Sequence, residues 1–89
     1  MKKGDVITVF SPAGEIVGKY VKEESGSITL EEPRLLMQNE QGSLGFAKGV
    51  CVSGQLKPQS LTINNYIFVT PSNDEFEKAY RRAITGLLV

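Results

Sequence analysis

Two pairs of adjacent carboxylates are the residues of this sequence best suited to act as a general acid and base. They are Glu23-Glu24 and Glu31-Glu32. Neighbouring residues of an extended strand point to opposite faces, so neither pair converges on one substrate if extended. The chain has no histidine, the commonest general base. Because it also shows no phosphate loop and no metal-ligand spacing, we expect neither an enzyme nor a bound cofactor or metal.

The single cysteine, Cys51, excludes an intrachain disulfide and suits a reducing compartment. It lies in an apolar segment, so we expect a buried small hydrophobe rather than a nucleophile. The sequence from Met1 to Asp5 leads into only a short apolar run, which predicts no signal peptide. No segment has the roughly 18 apolar residues that cross a bilayer. We therefore expect a soluble, cytoplasmic protein with no membrane partner.

The charge of the chain is balanced, with ten basic and ten acidic residues. Nucleic-acid-binding proteins often carry a basic excess, because neutralising phosphates supplies much of their affinity. The balance weakens such a function without excluding a local basic patch. The cationic helix residues Lys78, Arg81 and Arg82 are expected to form a solvated face, with pairs Glu77–Arg81 and Glu75–Lys78.

The elements that position these residues are predicted to be five short strands and a terminal helix, all in one domain. Gly18 predicts a bend, a bulge or a close backbone approach. In the fourth strand Leu44, Phe46, Val50 and Val52 would share one face. The strands are predicted at residues 6–10, 15–22, 27–31 with a possible extension through 34–38, 43–52 and 61–70.

The helix is predicted at about residues 73–86. Ser72 and Glu75 have the spacing of a capping box, and Gly86 is a plausible stop. Its apolar face would contain Phe76, Tyr80, Ala83 and Leu87. This mainly β pattern indicates a small barrel or sandwich.

Residues 5–71 resemble the Sm and Sm-like (LSm) RNA-binding family. The sequences "VITVFSPAGEIVGKY" and "GSITLEEP" resemble its first motif, and "NNYIFVTPS" resembles the strand half of its second. The whole chain is also similar to Sm-like proteins of bacteriophage and marine environmental origin, for which the compartment would be the host cytoplasm.

The resemblance implies a strongly bent five-stranded antiparallel open barrel. Family members usually carry a helix before the barrel, whereas the helix predicted here is C-terminal, which is a further departure. We expect its apolar face to cover the same open end of the barrel from the other terminus. The resemblance also implies a homo-oligomeric ring of about five to seven subunits, closed by pairing the fourth strand with the fifth strand of the next subunit. Single-stranded RNA would bind facing the pore. The contacts implied are Ser25 and Ser27 in one loop, and Thr62, Asn64 and Asn65 in another.

Three departures from the family pattern bear on that function. Gly14 and Gly18 have three residues between them, where the family commonly has four. The loop before the third strand has Glu23 and Glu24 and lacks the family's Asp and Asn. The family's Arg-Gly pair falls on Thr62-Ile63, which cannot stack on a base as a guanidinium does.

Several of these residues have more than one interpretation from the sequence. Asn64 and Asn65 are also typical turn residues, and Lys48 is typical of a solvated strand position. Four aromatic residues are either stacking platforms for bases or core residues: Tyr20, Phe46, Tyr66 and Phe68. Tyr20 and Tyr66 are the most suited to a solvent-exposed edge, because their hydroxyl groups tolerate water. The protein would be an RNA-binding ring, a structural or protein-binding oligomer that has lost RNA binding, or a monomeric barrel that binds a peptide.

Overall fold

The computed structural model describes residues 1–51 and 53–85. Six antiparallel strands are followed by one C-terminal helix. The elements are β1 (Val6–Ser11), β2 (Gly14–Glu24), β3 (Ser27–Gln38), β4 (Leu44–Phe46), β5 (Ser60–Asn64), β6 (Phe68–Pro71) and α1 (Asp74–Thr85).

The sheet follows the order β4-β3-β2-β1-β6, with β5 also paired to β3. The long β3 pairs with β5 through its first half and with β4 through its second half. Within the described residues β6 pairs with neither β4 nor β5, so the sheet is open. The mainly β, antiparallel character expected from the sequence is therefore confirmed, with six strands rather than five.

The core lies on both faces of the sheet because apolar side chains alternate along β1. Ile7 and Val9 belong to one cluster, and Val6 belongs to a second cluster beneath the helix. The first cluster is completed by buried residues of β2, β3 and β5, namely Ile16, Ile28, Leu30 and Ile63.

Gly18 is buried where β2 crosses β3 most closely, as the sequence predicts. A Cβ atom there would lie 3.0 Å from Leu30 Cβ and 3.1 Å from the Glu31 carbonyl oxygen. The register of β2 against β3 shifts at this point, and Glu32 adopts a left-handed backbone conformation with φ 50°. This irregularity bends the pair around the core.

The predicted strand at residues 61–70 is interrupted, which corrects the sequence prediction. Asn65 has φ 57°, a left-handed conformation that an extended strand does not contain. The chain therefore leaves β3 after Asn64 and pairs with β1 from Phe68 onward.

The predicted strand at residues 43–52 is also shorter than expected. Only Leu44–Phe46 is extended, and the following segment contains Gly49 and Gly54, which weaken strands. Phe46 packs in the helix-side cluster while Val50 packs in the other, so they do not share a face. Leu44 is 52% exposed, and Val52 lies outside the described residues.

Helix α1 packs on the sheet through Tyr80, which is fully buried with Val6 and Val17. Its hydroxyl group donates to the Glu32 carbonyl oxygen at 2.6 Å, and its ring meets that of Phe46 edge-on at 5.8 Å. Phe76 and Ile84 are half-buried. The predicted apolar face was wrong in containing Ala83, which is exposed. Leu87 and the predicted stop at Gly86 lie outside the described residues.

The N-cap of α1 is Asn73 rather than the predicted Ser72. The Asn73 side-chain oxygen accepts the Phe76 amide at 3.0 Å. Ser72 instead forms a hydroxyl–hydroxyl hydrogen bond with Thr8 at 2.8 Å, because β6 holds it beside β1. Farther along the helix, the predicted Glu77–Arg81 pair is present at 3.1 Å. No Glu75–Lys78 salt bridge forms among the described residues.

Candidate functional site

The turn between β2 and β3 presents Ser25 at its tip. Ser25 and Gly26 have φ values of 38° and 86°, the pair of positive values that a two-residue hairpin turn requires. The Ser27 hydroxyl donates to the Glu24 carbonyl oxygen at 2.9 Å and closes the turn. Ser25 is exposed, and its hydroxyl has no hydrogen-bond partner within the described chain.

The connection between β5 and β6 presents Asn64 and Asn65, both exposed. Asparagine adopts the left-handed conformation of position 65 more readily than most residues, which explains its presence there. The Ile67 amide donates to the Phe10 carbonyl oxygen at 2.7 Å and attaches the connection to β1. Neither asparagine side chain has a hydrogen-bond partner among residues 1–51 and 53–85, so both amides remain available to a ligand.

The two connections lie side by side because β3 pairs with β5. Ser27 stands opposite Asn64, and Thr29 stands opposite Thr62 with their hydroxyl oxygens 2.9 Å apart. Ile63, between Thr62 and Asn64, points into the core, so both neighbours point outward. We define the two-turn surface as the group that the sequence singled out, which this pairing brings together: Ser25, Ser27, Thr62, Asn64 and Asn65.

Lys22 is a cation beside the two-turn surface that the sequence analysis did not single out. An irregularity between Tyr20 and Lys22 brings Lys22 opposite Thr29, on the outward face. Its ammonium group lies 3.3 Å from the Glu24 carboxylate, and both side chains are largely exposed. Strand alternation alone does not reveal Lys22, because the bulge shifts the face on which each later residue of β2 lies.

The negative charge of Glu23, beside the two-turn surface, is partly compensated by a hydrogen bond. The Tyr66 hydroxyl donates to the Glu23 carboxylate and joins the two connections. This hydrogen bond, followed by burial and by the charge of Glu23, raises the pKa of Tyr66. Tyr66 is half-buried against the core cluster, so it supports the two-turn surface rather than offering a free stacking face.

The other residues singled out by the sequence lie apart from this surface. Glu32 pairs with Lys19 at 2.9 Å, while Glu31 is exposed and unpaired in the described structure. Cys51 is exposed, which corrects the expectation of a buried residue: the fourth strand ends before it. Phe68 is 52% exposed and stacks on Phe10 at 5.1 Å, so it is not a core residue.

Comparison with known proteins adds no assignment. No protein-family model matches the sequence, and no curated protein matches it significantly.

In the described part of the chain, no helix combines the length and apolar character needed to span a bilayer. No group of three or more His, Cys, Asp and Glu side chains in residues 1–51 and 53–85 is arranged to hold a metal ion.

Proposed function

We propose that this chain is a ring-forming Sm-like protein that binds single-stranded RNA at the two-turn surface without catalysing a reaction. The observation that supports this most is the pairing of Ser27 with Asn64, which joins the two loops implied as RNA contacts. The open antiparallel sheet with unpaired outer strands is compatible with ring closure by about five to seven copies.

The left-handed conformation of Asn65 fits the Asx turn that precedes the last strand in the second Sm motif. The family's Arg-Gly pair then falls on Thr62-Ile63, and Ile63 is buried. This connection therefore offers amides where the family offers a guanidinium.

The chemistry of the two-turn surface favours hydrogen bonding over charge. Asparagine amides and the Ser25 hydroxyl group can donate to and accept from base edges. The Ser27 hydroxyl already donates to the Glu24 carbonyl oxygen and can only accept further. The Thr62 hydroxyl is hydrogen-bonded to Thr29. Lys22 lies opposite Thr29 beside this surface, and its ammonium group is shared with the Glu24 carboxylate. Binding with few phosphate contacts should be weak and should depend only slightly on salt concentration.

The decisive experiment is native mass spectrometry with and without a short oligouridine, combined with RNA titrations of variants. We expect Asn64→Ala with Asn65→Gly to lower RNA affinity about tenfold, because two amides are lost. Glycine at position 65 preserves the left-handed turn. The matched control, Gln41→Ala, removes an exposed amide in a distant turn and should leave affinity unchanged.

A second candidate is a structural or protein-binding homo-oligomer that does not bind RNA. Large apolar side chains are exposed at both ends of the sheet, and this exposure supports self-assembly independently of RNA binding. Met37 and Leu44 are 53% and 52% exposed at the β4 end, and Ile67 and Phe68 are 59% and 52% exposed near β6. Exposed apolar strand edges of this kind promote pairing with another chain.

The same measurements separate the candidates. A ring that carries oligouridine, with affinity reduced in the asparagine variant, supports the first. A ring of unchanged size that carries no oligouridine supports the second and rejects RNA binding. A monomer at micromolar concentration contradicts both, because each depends on pairing of the sheet edges.

A further inference from the structure

Arg34 is a buried charged residue whose interactions within the described chain are few. It is only 5% exposed. One of its terminal nitrogens, Nη1, donates to the adjacent Pro33 carbonyl oxygen at 2.9 Å. No carboxylate of residues 1–51 and 53–85 forms a salt bridge with it. A guanidinium group has five N–H donors. Among the described residues no buried side-chain nitrogen lacks a partner, so the Arg34 donors that are not hydrogen-bonded remain open to solvent.

A cavity of about 400 Å³ lies beside Arg34, between the bulge of β3 and residues 57–59. The Glu32 amide donates to the Gln59 carbonyl oxygen at 2.9 Å, and this hydrogen bond connects the β3 side of the cavity to the side formed by residues 57–59. Lys57 lines the same cavity, and its backbone is held in a left-handed conformation with φ 52°. Ile84 of α1 provides an apolar side.

The charges around the cavity favour an anion. Glu32 lines it, but Lys19 neutralises that carboxylate at 2.9 Å. Glu31 and Lys57 also line the cavity, and both are exposed to solvent, which screens the two opposite charges alike. Arg34 and Lys57 then outnumber the one remaining carboxylate.

We propose that the Arg34 cavity binds a phosphate group. The planar fork of Arg34 can hold two phosphate oxygens, and Lys57 can hold a third as a point charge. A carboxylate could occupy the same fork, but phosphate carries more negative charge and a further oxygen that can point toward Lys57. The phosphate would come from free phosphate or from a nucleotide. This inference does not depend on RNA binding at the two-turn surface.

The test is an NMR titration of the full chain with inorganic phosphate, following the Arg34 Nε–H signal at constant ionic strength. We expect a saturable shift with a dissociation constant on the order of 1 mM. Lys57→Asn removes the ammonium group, and asparagine tolerates the left-handed backbone. It should weaken phosphate binding at least about tenfold. Lys48→Asn, in the same connection but outside the cavity lining, should not.

Two further measurements distinguish loss of phosphate binding from misfolding and identify the source of the phosphate. Arg34→Lys retains the charge but loses the fork, and it should weaken binding while the spectrum remains folded. Uridine 5′-monophosphate binding more tightly than inorganic phosphate would support a nucleotide source, and equal affinity would support free phosphate. Absence of a saturable Arg34 shift with either probe, or equal binding by Lys57→Asn and the parent protein, would overturn the proposal.

Discussion

Gly18 shows how a single residue determines the crossing of β2 and β3. Its missing side chain allows Leu30 and the Glu31 carbonyl group to approach the β2 backbone. We expect Gly18→Ala to lower the free energy of unfolding by about 1–3 kcal/mol, because the added methyl group forces these neighbours apart. Urea unfolding measures the change. Gly45→Ala is the control, since an added Cβ there meets nothing within 4 Å, and it should be close to neutral. Equal effects would mean that the close contact is unimportant.

Ionisation of Tyr80 should lower the free energy of unfolding as pH rises in the alkaline range. Burial, and then the charge of Glu32, raises the pKa of Tyr80 above its ordinary value of 10.0. The folded protein therefore holds this proton more tightly than the unfolded chain. Its contribution to stability is complete below the unfolded pKa and is lost as pH rises above about 10.

Tyr80→Phe isolates this contribution. At neutral pH the variant should be less stable by about 1–3 kcal/mol, because the Glu32 carbonyl group loses its buried donor. As pH rises above about 10, the difference between the parent and the variant should shrink. Tyr20→Phe is the control, since its hydroxyl has no hydrogen-bond partner in the described chain. A difference that stays constant up to about pH 11 would contradict the role of Tyr80 ionisation.

At the scale of elements, the Asn73 cap should determine the stability of α1. Asn73→Ala leaves the Phe76 amide without its acceptor and should cost about 1 kcal/mol. Asn73→Asp keeps a side-chain oxygen and should retain the parent stability. Thermal unfolding followed by circular dichroism measures both variants. If Asn73→Ala does not change the melting temperature, another group accepts a hydrogen bond from the Phe76 amide.

The sequence predicts elements best where the signal is local. The predicted bounds of the first two strands and the predicted start of the helix agree with the structure to within two residues. The interruption at Asn65 was not predicted, because apolar residues continue on both sides of it and the change of partner from β3 to β1 depends on distant pairing. For the same reason, the sequence by itself does not identify the left-handed residue within the Asn pair.

The candidate site was predicted only in outline. The sequence and the family resemblance singled out the five residues of the two-turn surface, and strand pairing brings them together. Lys22 was missed because a bulge determines its face, and the Arg34 cavity was missed because distant segments build it. Patterns of alternation carry no information about either feature.

At the scale of the whole molecule, self-assembly should depend on the apolar ends of the sheet. We expect Leu44→Glu and Ile67→Glu to convert an oligomer to monomers, since a buried unpaired carboxylate opposes association. Sedimentation velocity measures the mass. Ala83→Glu is the control, because Ala83 is exposed on α1 and belongs to neither edge strand. An assembly that survives both edge substitutions would have to use a different surface.

The shared strand β3 also has a consequence for the order of folding. Strands β1, β2 and β3 form a continuous meander with two-residue turns, and closing short loops costs little chain entropy. The Thr29–Thr62 contact spans 33 residues and the Thr8–Ser72 contact spans 64, so we expect β5 and β6 to join later. During synthesis, which begins at the N-terminus, the meander is complete before Ile63 emerges. Ile28 and Leu30 are then without their β5 partner, and we expect the chain to be prone to aggregation in this interval.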